Sequence, residues 1–324
     1  FLRGILYRYK CYCSYIDLKK KVKSISSRKK WDAVLIVSPN FIKKQGLSNI
    51  HFPFFSKDMI LSIVNFPENI FLSACGGDVP FYDYWKDQNF KNKHIVDVNI
   101  KRYLSPDSIR HFDYYSSFIN KVIPISWTYA EAWRNSKSVK RYTICPTIPL
   151  PVDTKQYQPF NRIGDKIVIF HGIIRPETKG SSYIMSAMKK LQEKFPDKVD
   201  CIAKGGMPLD EYLEVLNKTN ILIDQTYACS SGMNALYSLA MGKALLGGNV
   251  PENSIENNYP NIPIIDIGPD TEQIYKKLEE LVNNPQGILH MSKEGRKYVE
   301  QVHDSKVVAA RYIETFCKYG LNLS

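Results

Sequence analysis

Nowhere in its 324 residues does the sequence carry an apolar run approaching the ~18 residues a membrane-spanning helix needs. No secretory signal pattern is read in its first residues either, and no spanning helix is expected within it. Cysteine is sparse and badly placed for cross-linking or zinc. The seven residues, at 11, 13, 75, 145, 201, 229 and 317, are odd in number and scattered. Cys11 and Cys13 lack the second pair that would complete a zinc site, so reduced thiols in a cytosolic setting are expected. No His/Asp/Glu cluster has metal-ligand spacing, so neither a metal nor a separate cofactor is expected. No internal repeat stands out, and no nucleic-acid-binding motif accompanies the basic residues.

Acidic residues are scarce in one half only. Residues 1–160 hold 25 Lys and Arg against 12 Asp and Glu, whereas residues 161–324 hold 19 against 20, so the net +12 belongs wholly to the first half. Residues 1–30 alone carry ten basic residues and one acid, Asp17, with Lys19, Lys20, Lys21 and Lys23 in a dense run. The opening FLRGILYRYKCYCSYI is apolar but broken by Arg3, Arg8 and Lys10, the pattern of an amphipathic helix. This asymmetry favours an anionic partner such as a membrane surface, with a solvated basic face as the plainer alternative.

What is present is strand–helix alternation. The apolar run WDAVLIVSPN (31–40) is expected as a buried parallel strand, and NIFLSACGGDV (69–79) as a strand running into a glycine loop. Helices are expected over 57–65, 106–120 and 129–135, a short strand over 122–127, and an irregular excursion rich in Tyr and Trp over 81–104. TICPTIPLPVDTKQYQPF (143–160) is a proline-rich connector. Beyond it, strands are expected over 166–171, 199–203, 220–224, 244–247 and 262–266. Helices are expected over 181–194, 209–217, 232–241, 271–283, 292–302 and 304–318. This alternation predicts an α/β protein of two Rossmann-like, doubly wound domains facing a cleft, 1–160 and 161–324, with the last helices packing back on the first domain. A Rossmann-like domain opens on a strand and a glycine turn, yet residue 1 falls in a helical pattern. The first units of the N-terminal domain are therefore expected to lie outside this sequence.

Two loops carry the chemistry. VIFHGIIRPETKGSSYI (168–184) is a buried strand, a turn at Gly172, then Arg175, Lys179 and Gly180 before a helix. ILIDQTYACSSGMNALYSLAMGKALLGG (221–248) is again a strand, a small-residue loop ending at Gly232, and a helix opened by Met233 and Asn234. Unpaired N–H groups and the positive end of the dipole at each helix N-terminus favour an anion, and Arg175 and Lys179 add charge. Two such loops in tandem point to a nucleotide diphosphate. His171 would donate to sugar or phosphate, or be a satisfied core histidine. Lys204, Gly205 and Gly206 would meet the base or form a turn, and Asp224 and Gln225 would stand beside the pocket. His303 and Asp304 read as a helix junction and cap rather than a catalytic pair.

Connector, Arg/Lys loop and small-residue loop, in this order, resemble the C-terminal half of a glycosyltransferase with the GT-B fold. The likeness is to family-4 glycosyltransferases (the group 1 glycosyl transferases), in a divergent branch of bacterial surface-polysaccharide enzymes. It covers 165–320 well and 31–160 loosely. The resemblance implies transfer of a sugar, with retention and without a metal, from a UDP- or GDP-sugar to a glycan or lipid-linked acceptor. It assigns Arg175 and Lys179 to the donor diphosphate and the backbone of Ser230–Asn234 to the same phosphates. The family's two glutamates, eight positions apart, fall here on Cys229 and Tyr237, neither of which replaces a carboxylate. Glu252, in GGNVPEN, would return a carboxylate to the ribose, or is a surface turn residue. On the acceptor side the resemblance points to the loop Gly76-Gly77-Asp78, with Asp78 orienting or deprotonating the acceptor hydroxyl, or simply capping the next segment. Two alternatives remain: a nucleotide-sugar 2-epimerase on the same fold, and an inactive nucleotide-binding scaffold subunit.

Overall fold

The computed structural model describes residues 17–28, 30–37, 56–88, 100–119, 121–139 and 141–320. The expected helix over 1–16, with Cys11 and Cys13, lies outside them. Helix α1 (residues 17–26) leads into a first sheet of four parallel strands in the order β1-β2-β3-β4. These are β1 (Val34–Ile36), β2 (Ile70–Ala74), β3 (Lys121–Pro124) and β4 (Thr143–Ile144). Between them run α2 (Lys57–Ser62), α3 (Val79–Trp85), α4 (Ile100–Tyr103), α5 (Pro106–Ser116) and α6 (Trp127–Asn135). The strand expected over 122–127 stops at Pro124, because the chain turns at Ile125 and Ser126 and Trp127 already opens α6. Two residues read as connector, Thr143 and Ile144, instead add an edge strand by pairing with Lys121 and Val122.

The second sheet is also wholly parallel. Its strands are β5 (Ile167–Ile173), β6 (Val199–Gly205), β7 (Ile221–Ile223), β8 (Ala244–Gly247) and β9 (Ile265–Asp266), ordered β6-β5-β7-β8-β9. The helices are α7 (Pro176–Lys179), α8 (Ser181–Lys194), α9 (Leu209–Lys218), α10 (Met233–Ala240), α11 (Glu252–Glu256), α12 (Thr271–Asn283), α13 (Pro285–Tyr298) and α14 (Ser305–Tyr319). Two of these, α7 and α11, are short helices where the sequence reads as loop. Helix α13 starts well before residue 292 because Pro285 sits in its first turn and the Asn284 side chain accepts from Gly287 N–H. Val299–His303 then form a turn of π-helix before α14.

Both faces of the second sheet are covered, which its near-continuous apolar strands require. Ile169, Ile221, Ile223 and Leu246 point to α8 and α12, whose Ile184, Leu191, Ile274 and Leu278 complete that core. The alternate residues Phe170, Leu222 and Leu245 point to α9, α10 and the end of α13. The first sheet has one core over Phe112 and Trp133 and a second beneath α14. There Phe71 and Phe316 meet at 4.8 Å between ring centroids, and Asn69 donates to the Gly320 carbonyl. The chain thus crosses back, and its last helix closes the open face of the first sheet.

Strand order decides where a ligand can bind. The second chain segment of this sheet, β6, lies on one side of β5, and β7, β8 and β9 follow on the other side. The loops leaving the carboxyl ends of β5 and β7 therefore diverge to opposite faces and leave a crevice between them, the switch point at which open α/β sheets hold ligands.

Candidate functional site

A cavity of about 620 Å3 opens at that crevice and reaches across to the first sheet. The second sheet contributes Arg175, the N-cap of α7, with Glu177 and Thr178 of that short helix after β5, and the stretch 227–232 from the loop after β7. Asn249, Asn253 and Asn257 enter after β8, and Tyr298 and His303 close the rear. Opposite them stand Gly76 and Gly77 after β2, Phe81 and Tyr82 of α3, Tyr103, and Thr128 and Tyr129 of α6.

The two halves touch at the cavity. Thr128 Oγ1 lies 2.9 Å from Ser230 Oγ, which donates to Asn253 Oδ1 at 2.7 Å, while Asn253 Nδ2 donates to the Cys229 carbonyl at 2.6 Å. Farther out on the same pair of helices, Arg134 of α6 makes a two-pronged contact with Glu256 of α11 at 2.9 and 2.8 Å, and Thr147 adds a third hydrogen bond to that carboxylate. Burial of Glu256 would raise its pKa, but Arg134 and Thr147 outweigh it and hold the group below the ordinary range.

The structure divides the residues singled out for the donor. Arg175 is exposed and lines the cavity, as does Gly232, the N-cap of α10. No side chain caps that helix, so the N–H groups of its first turn, opened by Met233 and Asn234, lack a side-chain cap. Met233 and Asn234 themselves are not among the residues around the cavity, nor are Gly172, Lys179, Gly180 and Glu252. Lys179 is turned inward: its ammonium lies 2.7 Å from Asp224 Oδ1, and the two side chains are 10% and 5% exposed. Its carbonyl also accepts the Thr226 N–H. Gly180 follows with φ +66°, and a Cβ there would fall 2.1 Å from Thr226 Oγ1, so glycine is required for this close approach. Lys179 and Gly180 thereby pin the Arg175 turn to the end of β7. Glu252 is the first residue of α11, and Tyr237 packs against Tyr157 of the connector. Cys229 is fully buried among Phe81, Trp85, Trp127 and Val250.

Gly76 and Gly77 line the opposite wall; Asp78 stands just behind them. It is the N-cap of α3: one oxygen accepts from Phe81 N–H at 2.9 Å and the other from the Trp133 indole at 3.1 Å. Burial pushes its carboxyl up to about 7, against the pull of those two donors. His171 is the core histidine of the two readings. Nδ1–H donates to the Ile223 carbonyl and Nε2 accepts from Ser181, both at 2.8 Å, and burial depresses its pKa. Lys204 pairs with Glu211 away from the cavity, and Gln225 lines it while Asp224 does not.

His303 and Asp304 do form a helix junction, and Asp304 caps α14 by accepting from Lys306 N–H. His303 reaches the cavity nonetheless. Its Nδ1–H donates to the Leu150 carbonyl at 2.8 Å and its Nε2 accepts from Tyr298 O–H at 3.0 Å, with burial pushing it down to about 4. Asn249, Asn253 and Asn257 are absent from the sequence reading: they recur every fourth residue, but only Asn253 lies within α11, Asn249 preceding it in the loop and Asn257 capping its end. The wall formed by Phe81, Tyr82, Tyr103 and Tyr129 had no such pattern. Among the described residues no group of three or more His, Cys, Asp or Glu is placed to hold a metal ion.

A scan of protein-family models finds no match, and neither does a search of curated proteins. Solved structures do match. A glycosyltransferase from Rickettsia africae aligns over 97% of this chain and 83% of its own, at 10% identity and a TM-score of 0.55. Sucrose-phosphate synthase from Thermosynechococcus elongatus aligns over 77% of this chain and 67% of its own, at 13% identity and a TM-score of 0.54. HepE from Anabaena, solved with UDP and glucose, aligns over 77% and 71%, at 10% identity and a TM-score of 0.52. At such identities the likeness establishes architecture. The chain has the fold of the GT-B glycosyltransferases, two parallel α/β sheets whose carboxyl edges meet at one cleft.

Proposed function

We propose that this protein transfers a sugar from a nucleoside-diphosphate donor to an acceptor hydroxyl. One observation carries the reading: the cavity lies at the switch point of the second sheet, with Arg175 and the uncapped start of α10 on one side and another sheet opposite. The departing diphosphate gains negative charge as the glycosidic bond breaks, so fixed N–H dipoles and Arg175 stabilise the transition state more than the ground state. Lys179 serves by holding that turn in place. Ribose contact falls to the stretch 249–253, in which Glu252 is the carboxylate and Asn249 and Asn253 line the cavity. The acceptor enters past Gly76 and Gly77, with Asp78 fixing their turn.

HepE was solved with UDP and glucose, and a UDP- or GDP-sugar is accordingly the donor class proposed here. Retention and independence of a metal follow the family-4 resemblance. The acceptor is a glycan or lipid-linked sugar, and exposed Lys19, Lys20, Lys21 and Lys23 would meet an anionic membrane surface at the cytosolic face. Among the described residues no helix is long and apolar enough to cross a membrane. A 2-epimerase would need acid and base carboxylates in the cleft, and Glu177 is the one carboxylate among the described residues lining it. A binding subunit without turnover is the second reading, favoured by buried Cys229 at a family glutamate position.

Calorimetry with UDP, GDP and ADP tests the pocket. At least one should bind, and Arg175→Ala should weaken it about tenfold or more, ~1.4 kcal/mol. No binding by any of them refutes the proposal. Binding with neither donor hydrolysis nor transfer to any acceptor moves the conclusion to the second reading.

A further inference from the structure

We propose that Tyr103, backed by Tyr82, forms an acceptor subsite that takes the ring of a neutral sugar. The inference rests on the glycosyl-transfer reading and names what that transfer acts upon. Charge is the first argument. Arg175 and Glu177 are the charged side chains among the described residues lining the cavity, and both stand on the donor side. Among the described residues that line it, the wall opposite offers glycine, aromatic, aliphatic and hydroxyl groups, and the exposed Arg102 guanidinium, 5.9 Å from the Tyr103 ring centroid, stands outside that lining. A phosphate or carboxylate held within the cavity against these lining groups would be desolvated with no counter-charge among them, which is costly.

Packing is the second argument. The Tyr82 and Tyr103 rings lie 4.4 Å apart and 10° from parallel. Tyr82 is only 4% exposed and is braced from its other side by the edge of Phe81, 5.5 Å between centroids. Tyr103 is half-buried and forms the outer leaf. The Gly77 turn runs directly against both rings: a Cβ there would fall 2.4 Å from Tyr82 and 2.9 Å from Tyr103. The platform is therefore built before any ligand arrives.

Polarity is the third. Gly76 N–H donates to the Tyr129 hydroxyl at 2.9 Å, so that phenol accepts from the protein and keeps its own proton to donate. Ser126 lines the same wall. A hydrocarbon chain would leave these hydroxyls without partners. A pyranose matches both halves, with C–H bonds on its face for the negative face of an aromatic ring and hydroxyls at its rim for Tyr129 and Ser126.

The test is saturation-transfer NMR on the full chain, saturated with whichever nucleoside diphosphate binds, using methyl glycosides of glucose, galactose, mannose and N-acetylglucosamine. Matching sugar 1-phosphates and a short alkyl maltoside compete. Ring C–H signals should appear for at least one methyl glycoside, fall about fivefold or more in Tyr103→Ala, and persist within about twofold in Tyr103→Phe. Tyr103→Leu, which keeps more packing volume, carries the same expectation should the alanine variant unfold by circular dichroism. Diphosphate affinity should be unchanged in all three. Competition by the maltoside through its sugar protons supports the subsite and marks a lipid-linked glycan as the source; competition through its alkyl protons overturns it. Stronger binding of a sugar 1-phosphate, or a signal indifferent to Tyr103→Ala, also overturns it. Diphosphate binding with no glycoside signal overturns this subsite while leaving glycosyl transfer standing. Tyr103-dependent glycoside binding with no diphosphate binding upholds the subsite and sinks the transfer reading instead.

Discussion

Lys179 separates two accounts of the donor loop, and the structure predicts that it acts on stability. Its ammonium is 2.7 Å from Asp224 Oδ1 with both side chains at least nine-tenths buried. Removing one partner of such a pair strands the other charge in a poor solvent, which costs ~3–5 kcal/mol. Lys179→Met keeps the stem and deletes the charge, so it should lose that amount at pH 8. Asp224→Asn alone should lose a similar amount by stranding the ammonium. The double variant carries no stranded charge and should cost only ~1–2 kcal/mol, a coupling of ~3 kcal/mol or more. All four tryptophans lie at or before residue 133, so their fluorescence reports on the wrong sheet. Urea unfolding followed by circular dichroism, with amide exchange over β7 and α8, is the proper readout. If Lys179 instead served the diphosphate directly, Lys179→Met would abolish nucleotide binding and leave stability untouched. A loss below ~1 kcal/mol, or single effects that simply add, would refute the anchoring argument.

Asp78 should make stability fall as pH rises. Its carboxyl is raised from 3.8 to about 7 by burial, so the native state holds a proton that the unfolded chain releases. The contribution is complete below about pH 4 and disappears as pH rises to about 7, a change of ~4 kcal/mol at most. Tyr115, Tyr129, Tyr142 and Cys75 around it are all raised by burial and stay neutral over that range. His303 and His171, both depressed by burial, act in the opposite sense over this window, so the Asp78 contribution is the difference between the wild type and Asp78→Asn in urea titrations at pH 4, 5.5 and 7; identical pH profiles contradict the assignment. Arg134→Ala should loosen the outer tie between α6 and α11 by about 1 kcal/mol, since the arginine is 41% exposed and partly screened. The loosening is read as a larger radius of gyration in solution scattering and faster proteolysis in the 145–160 connector. Identical scattering and cleavage would show that the tie does not set lobe closure.

The second sheet was the more legible half because its signals are local. The central strands there are short apolar runs, β7 between Asn220 and Asp224 and β8 ending on Gly247, and α8 occupies the 181–194 span that periodicity marks. The elements that escaped have no periodicity to offer. Helix α7 is four residues and α11 five, too short for a repeating face, and β4 is a pair of residues that become a strand only through Lys121 and Val122. The site divides along the same line. Arg175 and Gly232 were readable because a strand, a glycine and a helix start follow one another in sequence. The inward turn of Lys179 depends on Asp224, forty-five residues away, and no pattern within the loop announces it. The tyrosine wall is assembled from α3, α4 and α6, so its only sequence trace was an aromatic-rich stretch without period.

Position 229 shows why losing a carboxylate need not mean losing the site. Cys229 is enclosed by Phe81, Trp85 and Trp127 of the first lobe and Val250 of the second, an apolar contact that itself joins the lobes. A glutamate there would carry its charge into aromatic surroundings with no cation among those neighbours, and the lobes would have to part to hydrate it. With a thiol in that place the contact stays dry. The polar work passes to neutral groups one step away: Asn253 holds both the Cys229 carbonyl and Ser230, and Ser230 meets Thr128 across the cleft. Neutral partners keep their hydrogen bonds whether the cleft is wet or closed, and they add no net charge to it. The cost falls on Arg175. Arg175 is the one Lys or Arg side chain among the described residues that line the cavity, so in the proposed transfer it would supply the side-chain positive charge for the leaving diphosphate, beside the first turn of α10. On that proposal the buried ion pair directly behind its turn has a use. A cation stabilises charge better from a fixed base, and Lys179 with Asp224 fixes the turn from which the exposed Arg175 side chain extends.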